Sequence, residues 1–398
     1  MLALGRAAGR VFDVPVCAIA RDTRESGPVL EAALAAGLAA EGVDVVLVGV
    51  APTPAAAWLA AADGVLGAVI SASHNPYTDN GVKLFAPGGR KLTDPEEERL
   101  EAELHALVGA TTRTDGGLVG EVREEPALVE RWEESVVASL GGRSLAGLRV
   151  VVDCAHGAAS WVAPVVLRTL GADVLVLHAE PDGRNINQGS GSTHPGALQR
   201  AVVDARADAG IALDGDADRA LAVDADGRLV DGDHIIAISA IDRKARGALP
   251  GGAVVATVMA NLGFRRGMQA HDIDVVEVPV GDRHVLAALE EHGLALGGEQ
   301  SGHVIHRDLA TTGDGVLTAV QLLDVIAHTG TPLSRLAADA MTQLPQVLRN
   351  VRVRRPGAEV AAEVTAEVEE AAAELGGSGR VLLRPSGTEP LVRVMVEA

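Results

Sequence analysis

Residues 64–83 read GVLGAVISASHNPYTDNGVK, and the parsing of that stretch decides the architecture. VLGAVI is a continuous apolar run of strand length, the pattern of a strand buried on both faces of a parallel sheet. It drives into Ser71-Ala72-Ser73-His74-Asn75-Pro76, and Asn75-Pro76 breaks any regular structure. Asp79-Asn80-Gly81 is a strong tight-turn signal, so VKLF returns as a strand and brings Lys83 back toward the serines. Working outward, VPVCAIARDT and VDVVLVG read as further buried strands, with SGPVLEAALAAGLAAEG and PAAAWLAAA as helices between them. The opening MLALGRAAGRVF reads as a helix.

The same rhythm restarts at LRVVVDCAHGAAS and again near GDHIIAISAIDRKA, with strands at AVVATV and DVVEVPV. It predicts three α/β units of similar length with mostly parallel sheets, candidate structural repeats without visible sequence identity. From LRNVRVRRP onward the pattern becomes a strand, an acidic amphipathic helix over GAEVAAEVTAEVEEAAAEL, and two strands around a Gly-rich loop. That is a small α+β unit. The expected division is 1–124, 125–231, 232–343 and 344–398.

The totals narrow the function classes. At 398 residues the chain exceeds one core, given ~100–200 residues per domain. Aromatic residues are 2%, which argues against a stacking platform for single-stranded nucleic acid. The net charge of −20 repels phosphate backbones, so no nucleic-acid partner is expected and an anionic substrate must meet local positive groups. Cys17 and Cys154 lie in apolar strand-like runs and read as buried thiols rather than a disulfide or zinc site. With no signal peptide and no apolar stretch of ~20 residues, a soluble cytoplasmic protein without a membrane partner is expected.

Four segments carry chemistry. Ser71 and Ser73 follow an apolar strand, where active loops of open α/β sheets lie; a plain polar turn is the alternative. A Ser-His hydrolase is disfavoured, because adjacent residues rarely place base and nucleophile and no G-x-S-x-G elbow is present. In IALDGDADR, residues 211–219, the small spacers Gly215 and Ala217 let Asp214, Asp216 and Asp218 converge on one hard cation, Mg²⁺ fitting best. A calcium EF-hand fails, because its Gly and Glu positions hold Arg219 and Ala225. An aspartyl-phosphatase also opens strand-D-x-D but favours Thr or Val where this chain has Asp218. In LGGEQSGH, residues 296–303, glycines flank Glu299 and Ser301, suiting either a hydroxyl-reading loop or a Gly-rich hairpin. In LLRPSGTEPLVR, residues 382–393, Arg384, Ser386, Gly387 and Thr388 offer what a phosphate dianion needs, with Arg393 as a second charge.

The motifs SASHNP, DGDADR, GEQSGH and RPSGTEP, in this order, resemble the signatures of the α-D-phosphohexomutases, and the likeness covers nearly the whole chain. Within that family the chain looks most like the bacterial branch acting on glucosamine phosphates, through NINQGSGSTHPGALQRAVV, GEQSGHVI with TTGDG, and SGTEPLVRVMVE. The resemblance implies four domains in a heart shape around a central cleft. It implies Ser73 as the phosphoserine, with Asp214, Asp216, Asp218 and a phosphoserine oxygen holding Mg²⁺. Glu299 and Ser301 would bind sugar hydroxyls, and Arg384, Ser386, Gly387, Thr388 and Arg393 the non-reacting phosphate. His74, Lys83 and Arg219 would sit beside the reacting phosphate, with Lys83 a candidate for proton transfer. The partners implied are small hexosamine phosphates, and a homodimer is left open.

Family members begin with a strand and a loop resembling FGTDGIRG, whose arginine reaches the active site; this chain begins at the helix that follows. The expectation is a start further upstream, and slow turnover without that strand and arginine. Two other readings stand beside the mutase acting on glucosamine phosphates. One is a mutase of mannose or glucose phosphates, and the other a weakly active sugar-phosphate-binding form. A hydrolase using Asp214 as nucleophile is the remaining enzyme class.

Overall fold

The computed structural model describes residues 1–108, 119–385 and 391–398. Its first sheet is built from β1 (Val16–Arg21), β2 (Asp44–Val50), β3 (Leu66–Ile70), β4 (Val82–Phe85) and β5 (Val122–Glu124), in the order β4-β3-β1-β2-β5. The second contains β6 (Arg149–Asp153), β7 (Asp173–Leu177), β8 (Ala209–Leu213), β9 (Ala220–Asp224) and β10 (Leu229–Val230), ordered β10-β9-β8-β6-β7. The third has β11 (Ala253–Thr257), β12 (Asp274–Val278), β13 (Leu296–Gly298) and β14 (Val304–His306), ordered β12-β11-β13-β14. The last, antiparallel sheet is β15 (Gln346–Arg352), β17 (Leu391–Glu397) and β16 (Arg380–Pro385), in that order.

Aligned with one another, the first three sheets share one plan. A parallel pair, β1 with β2, β6 with β7 or β11 with β12, is extended by a third parallel strand, β3, β8 or β13. That third strand then turns into an antiparallel neighbour, β4, β9 or β14. The repeats expected from the strand–helix rhythm are therefore present, and the sheets are mixed because of this final turn. Every residue of β3, β8 and β11 is buried, as strands covered on both faces require. The acidic helix of the last unit is two helices, Gly357–Glu363 and Thr365–Leu375, meeting at Val364. The β-branched pair Val364-Thr365 sits at the junction, where stiff side chains weaken a helix.

With few aromatics available, small residues set the packing. The helix Leu2–Phe12 lies on Gly27–Ala39 with backbones nearly touching: a Cβ on Gly5 would meet the Leu34 carbonyl oxygen at 2.3 Å, and one on Gly37 the Leu2 oxygen at 2.3 Å. Cys17 and Cys154 are both free thiols in the interior. Among the described residues no single helix is long and apolar enough to cross a bilayer.

One buried acid ties the second unit to the third. Asp314 caps the helix Gly315–Thr329, accepting from the Leu317 N–H at 2.9 Å, and its other oxygen accepts from Trp132 Nε1 at 3.0 Å. Burial raises its carboxyl to about 6, against the lowering effect of these hydrogen bonds. A carboxyl raised in the folded state contributes stability below its unfolded value near 4 and loses it as pH rises through 6. Asp314→Asn should therefore flatten the fall in stability between about pH 4 and 6.5, by up to about 3 kcal/mol. Urea melts across that range check this; identical pH profiles for both proteins would rule it out.

Candidate active site

The three strand-to-strand turns of the repeated plan are the three motif loops. Residues 71–81 join β3 to β4, 214–219 join β8 to β9, and 299–303 join β13 to β14. Each polar motif thus sits at the carboxyl end of a buried parallel strand. The three turns meet: Ser73 touches Asp214, the Ala220 N–H donates to the Gly302 carbonyl at 3.0 Å, and Asp218 faces His303 at 3.8 Å.

Ser73 is 9% exposed with φ of 50°, a left-handed backbone that costs a non-glycine residue about 1–2 kcal/mol. Its Oγ donates to Asp214 Oδ2 at 2.5 Å, and His74 Nδ1 lies 3.5 Å from the same Oγ. The loop is held from beneath by Arg24, whose side chain is fully buried. Its guanidinium donates to the carbonyls of Ser73 at 3.0 Å, Asn75 at 2.9 Å and Asp79 at 3.0 Å, and to that of Pro76. Asp22 neutralises Arg24 at 2.8 Å and accepts from Ser71 Oγ at 2.6 Å, which in turn accepts from the Ser73 N–H at 2.9 Å. Ser71 is a support of the loop; Ser73 is the hydroxyl presented.

Asp214, Asp216 and Asp218 bring one carboxylate oxygen each within 4.8 Å of the others. Gly215 permits the approach to the serine loop, since a Cβ there would meet the Ser73 carbonyl oxygen at 2.6 Å. Thr53 Oγ1 and Lys83 Nζ both donate to Asp216 Oδ2 at 2.6 Å, and Lys83 also reaches Asp218 Oδ2 at 2.8 Å. Asp216 Oδ1 and Asp218 Oδ1 remain buried without a donor among the described residues. Burial, then the charges of Asp218 and Asp216, push the Asp214 carboxyl well up. Burial also works to raise Asp218, but Lys83, His303 and Arg219 hold it well below the usual range. Burial opposes the Lys83 charge, yet Asp216 and Asp218 keep its ammonium far above its ordinary value. Three buried carboxylates with one oxygen each within 4.8 Å of the others, two of the three residues carrying an oxygen unmatched by donors, suit a divalent cation. The triad can bind a metal.

Arg219 lies beside this cluster, its Nε 3.8 Å from Asp218 Oδ1. Burial and the Arg219 charge lower the His74 imidazole, favouring its neutral form. In the third turn, Glu299 accepts from the Gly281 N–H at 3.0 Å and from Ser301 Oγ at 3.1 Å. LGGEQSGH is a hairpin joining β13 to β14, with Glu299 and Ser301 hydrogen-bonded to each other at the turn. Arg384 and Arg393 stand opposite each other across β16 and β17. Burial and the Arg393 charge lower the Arg384 guanidinium, and Glu299 partly offsets this. Two facing cations make a place for an anion. Ser386, Gly387 and Thr388 lie outside the described residues.

Some participants were not singled out from the chain. Arg24 had a signal, because RDTR places charges at the end of an apolar strand, where only a buried partner would tolerate them. His303, 3% exposed, belongs to the quoted GEQSGH motif and was given no role there; it lies 3.8 Å from Asp218 and 3.6 Å from Asp282. Thr53, in a helix start, carried no signal.

Comparison with known proteins bears on this arrangement. The models for phosphoglucomutase/phosphomannomutase alpha/beta/alpha domains I, II and III match residues 1–108, 131–227 and 231–344, and that for the C-terminal domain matches 348–398. A phosphoglucosamine mutase of Frankia alni is 57% identical over 386 residues, 96% of this chain and 84% of that protein. One of Symbiobacterium thermophilum is 53% identical over 400 residues, 100% of this chain and 88% of that protein. The crystal structure of a phosphoglucomutase/phosphomannomutase family protein from Burkholderia thailandensis superposes with a TM-score of 0.83 at 27% identity, covering 100% of this chain and 88% of that one.

Proposed function

The chain belongs to the phosphoglucomutase/phosphomannomutase family, and from that premise we propose that it is an isomerase interconverting glucosamine 6-phosphate and glucosamine 1-phosphate. The name of its relatives at 57% and 53% identity supports the amino sugar. The observation that carries the chemistry is Ser73 Oγ lying 2.5 Å from Asp214 in the triad pocket, where a phosphoryl group on that hydroxyl would share the triad's cation.

Phosphorylated Ser73 gives its phosphoryl group to the sugar 1-hydroxyl: the Ser73 O–P bond breaks, the O1–P bond forms, and a proton passes to the departing seryl oxygen. Lys83, held as an ammonium beside the triad, gives that proton and is recharged by the one released from O1, and it is a charge partner for the phosphoryl oxygens, with His74 and Arg219 beside the reacting phosphate. Asp214, Asp216 and Asp218 would hold Mg²⁺, which when bound would neutralise charge developing on the phosphoryl oxygens. Glu299 and Ser301 orient the sugar by its hydroxyls. Arg384 and Arg393, with Ser386, Gly387 and Thr388, hold the other phosphate. The 1,6-bisphosphate then turns over and returns its 6-phosphate to Ser73, so one clamp accepts both ends of the sugar, and the small last unit, residues 344–398, moves with it.

Incubating the protein with glucosamine, mannose and glucose 6-phosphates and assaying each 1-phosphate tests this reading. Glucosamine 1-phosphate should form fastest, with label from a phosphorylated donor retained on Ser73. Label on Asp214, or no glucosamine 1-phosphate, would refute it.

A further inference from the structure

The Ser73 carbonyl is anchored from both sides of a domain boundary, by Arg24 of its own unit and by a side chain of the unit that carries the triad. Asn187, in the loop following β7, sends its amide Nδ2 to the Ser73 carbonyl at 2.8 Å and to the Asn75 carbonyl at 3.1 Å. These are the same two carbonyls that Arg24 Nη2 holds from the serine's own unit. Asn187 is 7% exposed, has φ of 60°, and is itself fixed by its N–H donating to the Ala155 carbonyl at 2.9 Å. A Cβ on Gly215 would meet Asn187 Nδ2 at 2.8 Å as well as the Ser73 oxygen. The metal loop is therefore packed against the serine-loop backbone and the Asn187 amide with no room for a side chain at 215. Asn187 Oδ1, the far end of the amide, is buried with no donor among the described residues. An amide kept with one end unmatched is a poor choice for stability alone.

We infer that Asn187 is a positioning residue for phosphoryl transfer: it locks the Ser73 carbonyl to the triad's unit and so fixes Ser73 Oγ at the distance from Asp214 that the chemistry uses. The inference rests on the reading of Ser73 as the phosphoryl carrier. The units themselves do not depend on Asn187. Thr53 bridges the same boundary through Asp216, with its N–H donating to the Asp216 carbonyl at 2.9 Å, and Thr23 Oγ1 bridges it to the His156 carbonyl at 2.6 Å. Losing Asn187 leaves the Ser73 and Asn75 carbonyls held only from their own unit, by Arg24, while the boundary stays closed. Phosphoryl transfer depends on in-line alignment, and displacement of a reacting group by about 1 Å costs on the order of 10²-fold in rate.

Asn187→Asp is the isosteric test, because it tolerates the left-handed backbone and fills the same volume, but turns an oxygen toward two carbonyls. Asn187→Gly removes the side chain without backbone strain and covers the case in which the new carboxylate unfolds the loop. After both variants are charged with glucose 1,6-bisphosphate, kcat per phosphorylated Ser73 should fall about 10²-fold, with KM within about threefold. Hydrogen exchange of the peptide spanning residues 71–81 should quicken while peptides elsewhere keep their rates. A kcat within threefold of the parent overturns the inference. So does a raised KM at unchanged kcat, or a loss that only tracks the folded or phosphorylated fraction. Should the parent protein not interconvert glucosamine phosphates, the proposed function fails by itself. The exchange of 71–81 then still decides the clamp: unchanged exchange overturns it, and quickened exchange supports it.

Discussion

Ser73→Ala should lower the interconversion of glucosamine phosphates by at least about 10⁴-fold, because it removes the only group proposed to carry the phosphoryl between two sugars. Ser71, two residues away, is the internal control. Its Oγ donates to Asp22 and accepts from the Ser73 N–H, so it supports the loop without facing the triad. Ser71→Ala should cost stability on the order of 1–3 kcal/mol and still take up one phosphate on Ser73, by peptide mass spectrometry. If Ser73→Ala keeps substantial activity, or Ser71 proves to be the labelled residue, the assignment of the two hydroxyls is wrong.

Asp214→Asn separates binding from repulsion. Asparagine keeps an oxygen that can accept from Ser73 Oγ but withdraws one of three buried negative charges. Activity should fall at least ~10²-fold, as weakened ligation of a catalytic cation does, and calorimetry should show Mg²⁺ affinity reduced in parallel. Treating the parent protein with a chelator should silence it and added Mg²⁺ restore it. Without metal the variant should be more stable than the parent, by about 1 kcal/mol. The sign follows from burial and the charges of Asp218 and Asp216, which already push the Asp214 carboxyl well up; relieving that repulsion favours the folded state. A variant less stable than the metal-free parent would mean that Lys83 and Arg219 had already balanced the triad.

Repulsion of this kind is readable in the chain, because DGDADR gathers three carboxylates within five residues behind the buried strand IAL. The serine loop is readable for a similar reason: a polar stretch that ends an apolar run has to face solvent, a ligand or a dedicated support. Arg24 was that support. Its charge was visible, but the four carbonyls it satisfies belong to residues 49 to 55 positions further on. The broken helix of the last unit shows the opposite limit, where periodicity runs smoothly across Val364 and the backbone does not.

What the amino-acid sequence determined by itself is the repeated alternation of buried strand and helix, and the polar motif closing each third strand. Both follow from short-range patterns of apolarity and turn chemistry. Only the tertiary structure decided which groups meet. Ser73 reaches Asp214 across 141 residues, Lys83 reaches Asp216 across 133, and Asn187 reaches back to Ser73 across 114. Such pairings depend on how three sheets stack their equivalent turns against one another. The free energy of that stacking comes from buried Ala, Val and Leu surfaces contributed by all three units, so no local pattern records it.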